Sequence, residues 1–86
     1  MLMTELEYTF KKAAIQGHKF VAVEIVSVQL PKGETIINPI SAMQTKLDYY
    51  KGAYDENCRL KAAPGIAISK AVSGNDYAAI QQAVGK

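Results

Sequence analysis

Residues 19–30 read K-F-V-A-V-E-I-V-S-V-Q-L, and what covers this stretch decides the fold. It is rich in β-branched residues, which predicts a strand. A strand with one wet face alternates apolar and polar residues, and this one does not. Val21, Val23 and Ile25 share a face that turns polar at Ser27 and Gln29, while the other carries Phe20, Ala22, Val26, Val28 and Leu30, interrupted by Glu24. Either both faces are covered, or a bulge exchanges them midway. Glu24 is then the anomaly. A lone buried charge is expensive, so it must be paired, protonated or at an open edge, and placement at an edge or toward solvent is the expectation.

Working outward, Pro31-Lys32-Gly33 predicts a turn and residues 34–37 a short returning strand, which makes a hairpin. Upstream, Thr4 and Glu7 have the spacing of a capping box, with Met3 and Tyr8 as its hydrophobic staple. Leu6, Phe10, Ala13 and Ala14 share one face, and Gly17 suits the left-handed residue that ends a helix, which predicts a helix over about residues 5–16. Downstream, Asn38 is a natural N-cap and Pro39 a natural first helical residue. Ile40, Met43, Leu47, Tyr50, Tyr54 and Cys58 then recur as one helical stripe. Lys51 and Asp55 stand four apart on its solvent side, the spacing of a helical ion pair.

After Pro64-Gly65 the period changes to two. Ile66, Ile68 and Val72 are expected on one face of a third strand, opposite Ala67, Ser69 and Ala71. Gly74-Asn75-Asp76 closes it and caps a last short helix, with Tyr77, Ile80, Gln81 and Val84 inward. Such a helix is too short to stand alone and must lean on the sheet. The order is α-β-β-α-β-α: a single α+β domain over residues 1–86, its small three-stranded sheet carrying helices mainly on one face.

The chain has 86 residues, 49% of them hydrophobic, and a net charge of +2. A domain of this size buries only about 60–65% of the surface its unfolded chain exposes, so a partner subunit would add burial. The near-balance of charge argues against nucleic acid, which would call for a basic stripe, and against an acidic DNA mimic. One cysteine excludes an internal disulfide, and no secretory leader pattern opens the chain, so a cytoplasmic location is expected. The longest apolar run is short and carries Glu24, too little to span a membrane.

No phosphate loop, nucleophile elbow or zincin motif is present, and no ligand pair with a nearby histidine suggests a metal; no cofactor is expected. Cys58 continues a core stripe and is expected to be buried and inert, and the only histidine, His18, to complement the end of the first helix. A glycine inside a helix costs about 1 kcal/mol against alanine and so usually has a packing reason. Gly52 lies with Tyr49 and Ala53 on the flank of the second helix. That flank, with Asp55 and Glu56 beyond it, is the expected partner-binding surface; the plainer alternatives are packing beneath the first helix and a solvated acidic end facing Arg59 and Lys61. Lys11, Lys12, Lys19 and Arg59 are the candidates for holding an anion.

The stretch K-L-D-Y-Y-K-G-A-Y-D-E-N-C-R-L-K-A-A-P-G-I, residues 46–66, resembles a segment of small uncharacterised proteins encoded in phages and prophages of Gram-positive bacteria. The likeness extends back through I-I-N-P at residues 36–39, about half the chain. It implies a phage accessory gene and no particular reaction. In that pattern position 58 holds a larger apolar residue, which makes Cys58 a core substitution. The expected function is therefore that of a non-enzymatic interaction protein, a homo-oligomer that binds and occludes a host or phage protein. The alternative is an oligomeric binder of a small anionic ligand such as a nucleotide.

Overall fold

The computed structural model describes residues 1–85; the Ile40 side chain, expected in the second helix's stripe, lies outside the described residues. The elements are α1 (Met3–Gln16), β1 (Phe20–Val26), β2 (Glu34–Pro39), α2 (Met43–Ala53, entered through a 3-10 turn at Ile40–Ala42), β3 (Ala67–Gly74) and α3 (Tyr77–Gly85). The sheet is antiparallel in the order β2-β1-β3, with β1 in the centre. The expected order of elements and α+β class are those observed.

The central position of β1 explains its sequence. Val21 and Val23 pack in the main core with Leu6, Phe10 and Ala13 of α1, Leu47 and Tyr50 of α2, and Ile68 of β3. Ala22 faces the other way, against Ile80 and Val84 of α3, with Phe20, Ile37 and Val72 around them. Two helices thus cover one face and α3 covers part of the other. A bulge is present as well, but in β3: Glu24 pairs with Lys70 and Ile25 with Ile68, leaving Ser69 as the extra residue. The bulge changes the phase of β3. Ile68 and Ala71 both reach the main core while Val72 joins the opposite cluster, so the expected grouping of Ile68 with Val72 is corrected.

Glu24 is not on an edge strand. It is half-buried in the central strand on the α3 side of the sheet, between Thr35 and Lys70, and its Oε1 accepts a 2.6 Å hydrogen bond from the Ser69 hydroxyl. Gly33 folds over it so closely that a Cβ there would stand 2.8 Å from Glu24 Cγ, and its φ of +83° favours glycine independently. β1 stops at Val26 rather than continuing to Leu30, because Ser27 and Leu30 exchange backbone hydrogen bonds across a tight loop. Val28 and Leu30 are consequently exposed.

Local signals differ from expectation at two helix starts. α1 begins at Met3, with Glu5 rather than Glu7 reaching back, to the Leu2 amide at 2.8 Å. The Met3 amide donates to the Glu56 carbonyl, and that tertiary bond sets the start. Tyr8 is exposed instead of stapling Met3, whereas Gly17 ends the helix left-handed at φ +69° as expected. Asn38 is no cap and Pro39 no first helical residue: both lie in β2, Asn38 buried opposite Val21, and its side-chain amide donates to the Val21 carbonyl (3.3 Å) and the Tyr50 hydroxyl (3.4 Å). On α3, Asp76 caps the Ala78 and Ala79 amides, and Ile80 and Val84 point inward, but Gln81 and Tyr77 are exposed.

Candidate functional site

The stretch after α2 is the most tightly wired connection in the molecule. The helix ends at Ala53, where Tyr54 turns extended with φ −112° and ψ 150°. Asp55 then organises the turn. Its Oδ1 accepts from the Asn57 amide (2.8 Å) and the Arg59 amide (3.0 Å), its own amide donates to the Arg59 carbonyl, and its carbonyl accepts from the Cys58 amide. The Arg59 amide foremost holds the Asp55 carboxyl below its ordinary value. Asp55 therefore lies beyond the helix and organises a turn, and the Arg59 and Lys61 charges lower its carboxyl further. The expected Lys51–Asp55 pair does not form, since Asp55 lies beyond the helix. Lys51 instead reaches Glu7 on α1 at 3.0 Å.

Cys58 sits at the tip of this turn with φ +58°, the only positive φ outside glycine among the described residues. Left-handed backbone costs a non-glycine residue about 1–2 kcal/mol, and here neighbouring hydrogen bonds hold it. Its side chain is fully buried in the main core, and burial pushes the thiol up, away from the reactive thiolate. Its carbonyl accepts from the Ile68 amide. His18 lies at the opposite end of β3, its Nδ1 2.8 Å from the Ser73 hydroxyl. Five residues of strand, roughly 16 Å, separate the two contacts, so the geometry does not assemble a thiol–imidazole pair. No group of three or more potential metal ligands occurs among the described residues.

Of the expected partner-binding residues, Tyr49, Gly52 and Glu56 are exposed, while Ala53 and Asp55 are half-buried. Tyr49 is 55% exposed; its ring stands edge-on to Tyr50 with centroids 5.5 Å apart, and the Lys46 ammonium lies 5.9 Å from its centroid. A Cβ placed on Gly52 would meet nothing within 4 Å. No internal contact therefore uses the glycine, whereas its neighbour Ala53 packs against the main core.

The four candidate anion-binding residues do not converge. Lys11 lies 3.5 Å from Glu7, which Lys51 also contacts; hydrogen bonding from Lys51, then the charge of Lys11, draws the Glu7 carboxyl down. Lys12 extends over the Tyr8 ring at 5.9 Å. The Lys19 backbone amide donates to Asn75 Oδ1 beside the Gly74 end of β3, whereas Arg59 pairs with Ala67 at the other end, roughly 20 Å away.

Two surface features have no counterpart in the sequence reading. One is a groove of about 420 Å³ between α1 and α2, floored by Phe10 and Leu47 and closed at one end by the Glu7 ion pairs. The other is a slot of about 370 Å³ between α1 and β3, bordered by Tyr8, Lys12, His18, Ala71 and Ser73. Both depend on how α1 lies across the sheet, which no local pattern encodes. The fold and surface define a small α+β domain with open helix and strand flanks. No family model, curated protein or solved structure matches the chain. No helix among the described residues is long and apolar enough to cross a membrane.

Proposed function

We propose that the chain is a small non-enzymatic interaction protein that acts by occlusion, with the outer flank of α2 around Tyr49, Gly52 and Glu56 covering a site on another protein. The observation that carries this reading is the pairing of a half-exposed aromatic with an open helical glycine. Tyrosine supplies large, amphipathic contact area and is enriched where proteins meet. Glycine costs the helix about 1 kcal/mol and returns no internal packing, which is the pattern expected where a foreign backbone approaches. The buried, left-handed setting of Cys58 and the distance of His18 from it weigh against a cysteine enzyme. The dispersal of Arg59 from the three lysines weighs against a single anion site. The resemblance over residues 36–66 makes a phage or bacterial host protein the natural target, and a homo-oligomer would add the burial that a small chain lacks.

Native mass spectrometry on the protein purified gently from host lysate tests the reading. The expected result is a whole-number multiple of the chain mass with a second protein bound. In Tyr49→Ala and Gly52→Glu chains that remain folded by circular dichroism, that second mass should fall at least about tenfold in occupancy. A small-molecule adduct in place of a protein would favour the anionic-ligand alternative. A bare monomer, or a complex indifferent to both substitutions, would overturn the α2 surface.

A further inference from the structure

Of the two outer strands, β2 is blunted and β3 is blunted only in part. β2 carries Glu34 at one end and Pro39 at the other, features that discourage a further strand. β3 has neither proline nor acid along Ala67–Gly74. Its first half is protected: Arg59 bridges Ala67 from outside, the Ile68 amide donates to the Cys58 carbonyl, and the Ser69 bulge and Lys70 follow. This short intramolecular pairing demonstrates that the outer edge of β3 accepts an antiparallel strand. It ends there because the Asp55 turn carries the chain away.

Beyond the bulge the edge is open. Successive residues of an antiparallel strand turn their backbone groups alternately to one neighbour and to the other. Ile68 faces outward to Cys58, Ser69 and Lys70 together oppose Glu24, and the next outward-facing residues are Ala71 and Ser73. Both border the slot under α1, whose other wall is formed by Tyr8 and Lys12, with His18 at its end. Lys12 gives this wall its charge, and no carboxylate lines it. Glu5, on the same helix, is held by the Leu2 amide, and Asp76 by the first turn of α3.

We propose that the slot between α1 and the outer edge of β3 takes an extended, acidic segment of a partner protein as a fourth strand. The occupant's backbone pairs with Ala71 and Ser73, and its carboxylates meet Lys12 at the α1 wall. This is strand addition, in which main-chain hydrogen bonds give affinity and flanking side chains give selectivity. A second copy would offer no acid along its own β3 to meet Lys12, whereas an acidic segment of a partner would. The site is separate from the α2 flank, on a different helix, and stands or falls independently of it.

The test is an amide NMR titration of the full chain with a short synthetic peptide alternating valine and glutamate. The expected result is shifts and slowed exchange centred on the Ala71 and Ser73 amides. Affinity should fall about tenfold or more when alternate peptide nitrogens are methylated, which removes ladder donors but keeps every charge. Lys12→Glu should weaken the glutamate peptide severalfold and favour the same peptide with lysine in place of glutamate. Tyr49→Ala should leave both affinities unchanged. Absence of binding, equal binding by the methylated peptide, or shifts centred on α2 would overturn the proposal. So would concentration-dependent protection of Ala71 and Ser73 without peptide, which would make the edge a self-association site.

Discussion

The two faces of the sheet are covered to different depths. On the α1–α2 side, large side chains from every element but α3 interlock, and Phe10, Tyr50 and Tyr54 meet edge-to-face with neighbouring centroids 6.1 and 5.9 Å apart. On the other side, Ala22, Ile80 and Val84 form a small cluster under a helix of nine residues. That helix packs on Phe20, Ala22, Ile37 and Val72, which lie at one end of the three strands. The end beyond α3 holds the row Thr35, Glu24 and Lys70, where only the loop at Gly33 folds over Glu24. Glu24 interrupts an apolar strand at the point where its cover ends. The difference teaches that a charge in a central strand reports where the neighbouring layer stops.

The largest expected effect breaks the deeper face. Leu47→Asp places an unpaired charge among Phe10, Tyr50 and Ile68, which costs about 4 kcal/mol or more and leaves the chain unfolded by circular dichroism at 25 °C. A folded Leu47→Asp chain would mean that α2 presents another face to the sheet. A matched pair of truncations then measures the contrast itself. Ile68→Ala should cost about 3 kcal/mol in urea unfolding, since its surroundings are held from several elements. Val84→Ala should cost about 1–2 kcal/mol, because it removes less volume and a short terminal helix can settle inward. Equal losses would show that the two faces do not differ in rigidity.

The smallest effect sits in acid. The Asp55 carboxyl is held below its ordinary value of 3.8 by the Arg59 amide. A depressed pKa stabilises the fold above the unfolded value and loses that contribution as pH falls through the folded one. Stability should therefore decline below about pH 4, and Asp55→Asn should flatten part of that decline while slightly lowering the melting temperature at neutral pH. Glu7, drawn down by Lys51 and Lys11, titrates in the same window, so some acid dependence should survive. An unchanged acid limb in Asp55→Asn would mean that the turn does not rely on the ionised carboxylate.

Much of this architecture is legible in short stretches, and the exceptions share a cause. Gly17 and Asp76 act as the local rules require, because a cap involves only the adjacent turn. Asn38-Pro39 carries an equally good local signal and does something else, because pairing with Val21 places Asn38 inside the sheet. Tyr54 and Cys58 fall on the helical stripe and are buried as it requires, yet the helix has ended before either. A tight turn through a left-handed Cys58 returns the chain to the same core that a helix continued to that residue would have faced. The candidate surface around Tyr49 was visible as small residues beside an aromatic. The slot along β3 was not, since its walls come from residues 8–18 and 71–73.

The sequence by itself determined the order of elements, the apolar stripe of each helix and the need for either cover on both faces of β1 or a bulge, because these follow from spacings of two to four residues. Only the tertiary structure decided that β1 is central, that Ser69 bulges, that Lys51 pairs with Glu7 rather than Asp55, and that β3 keeps half an edge open. Those outcomes depend on strand register and loop closure between residues far apart in the chain. There, one hydrogen bond such as that from the Met3 amide to the Glu56 carbonyl can move a boundary that local propensity would have set elsewhere.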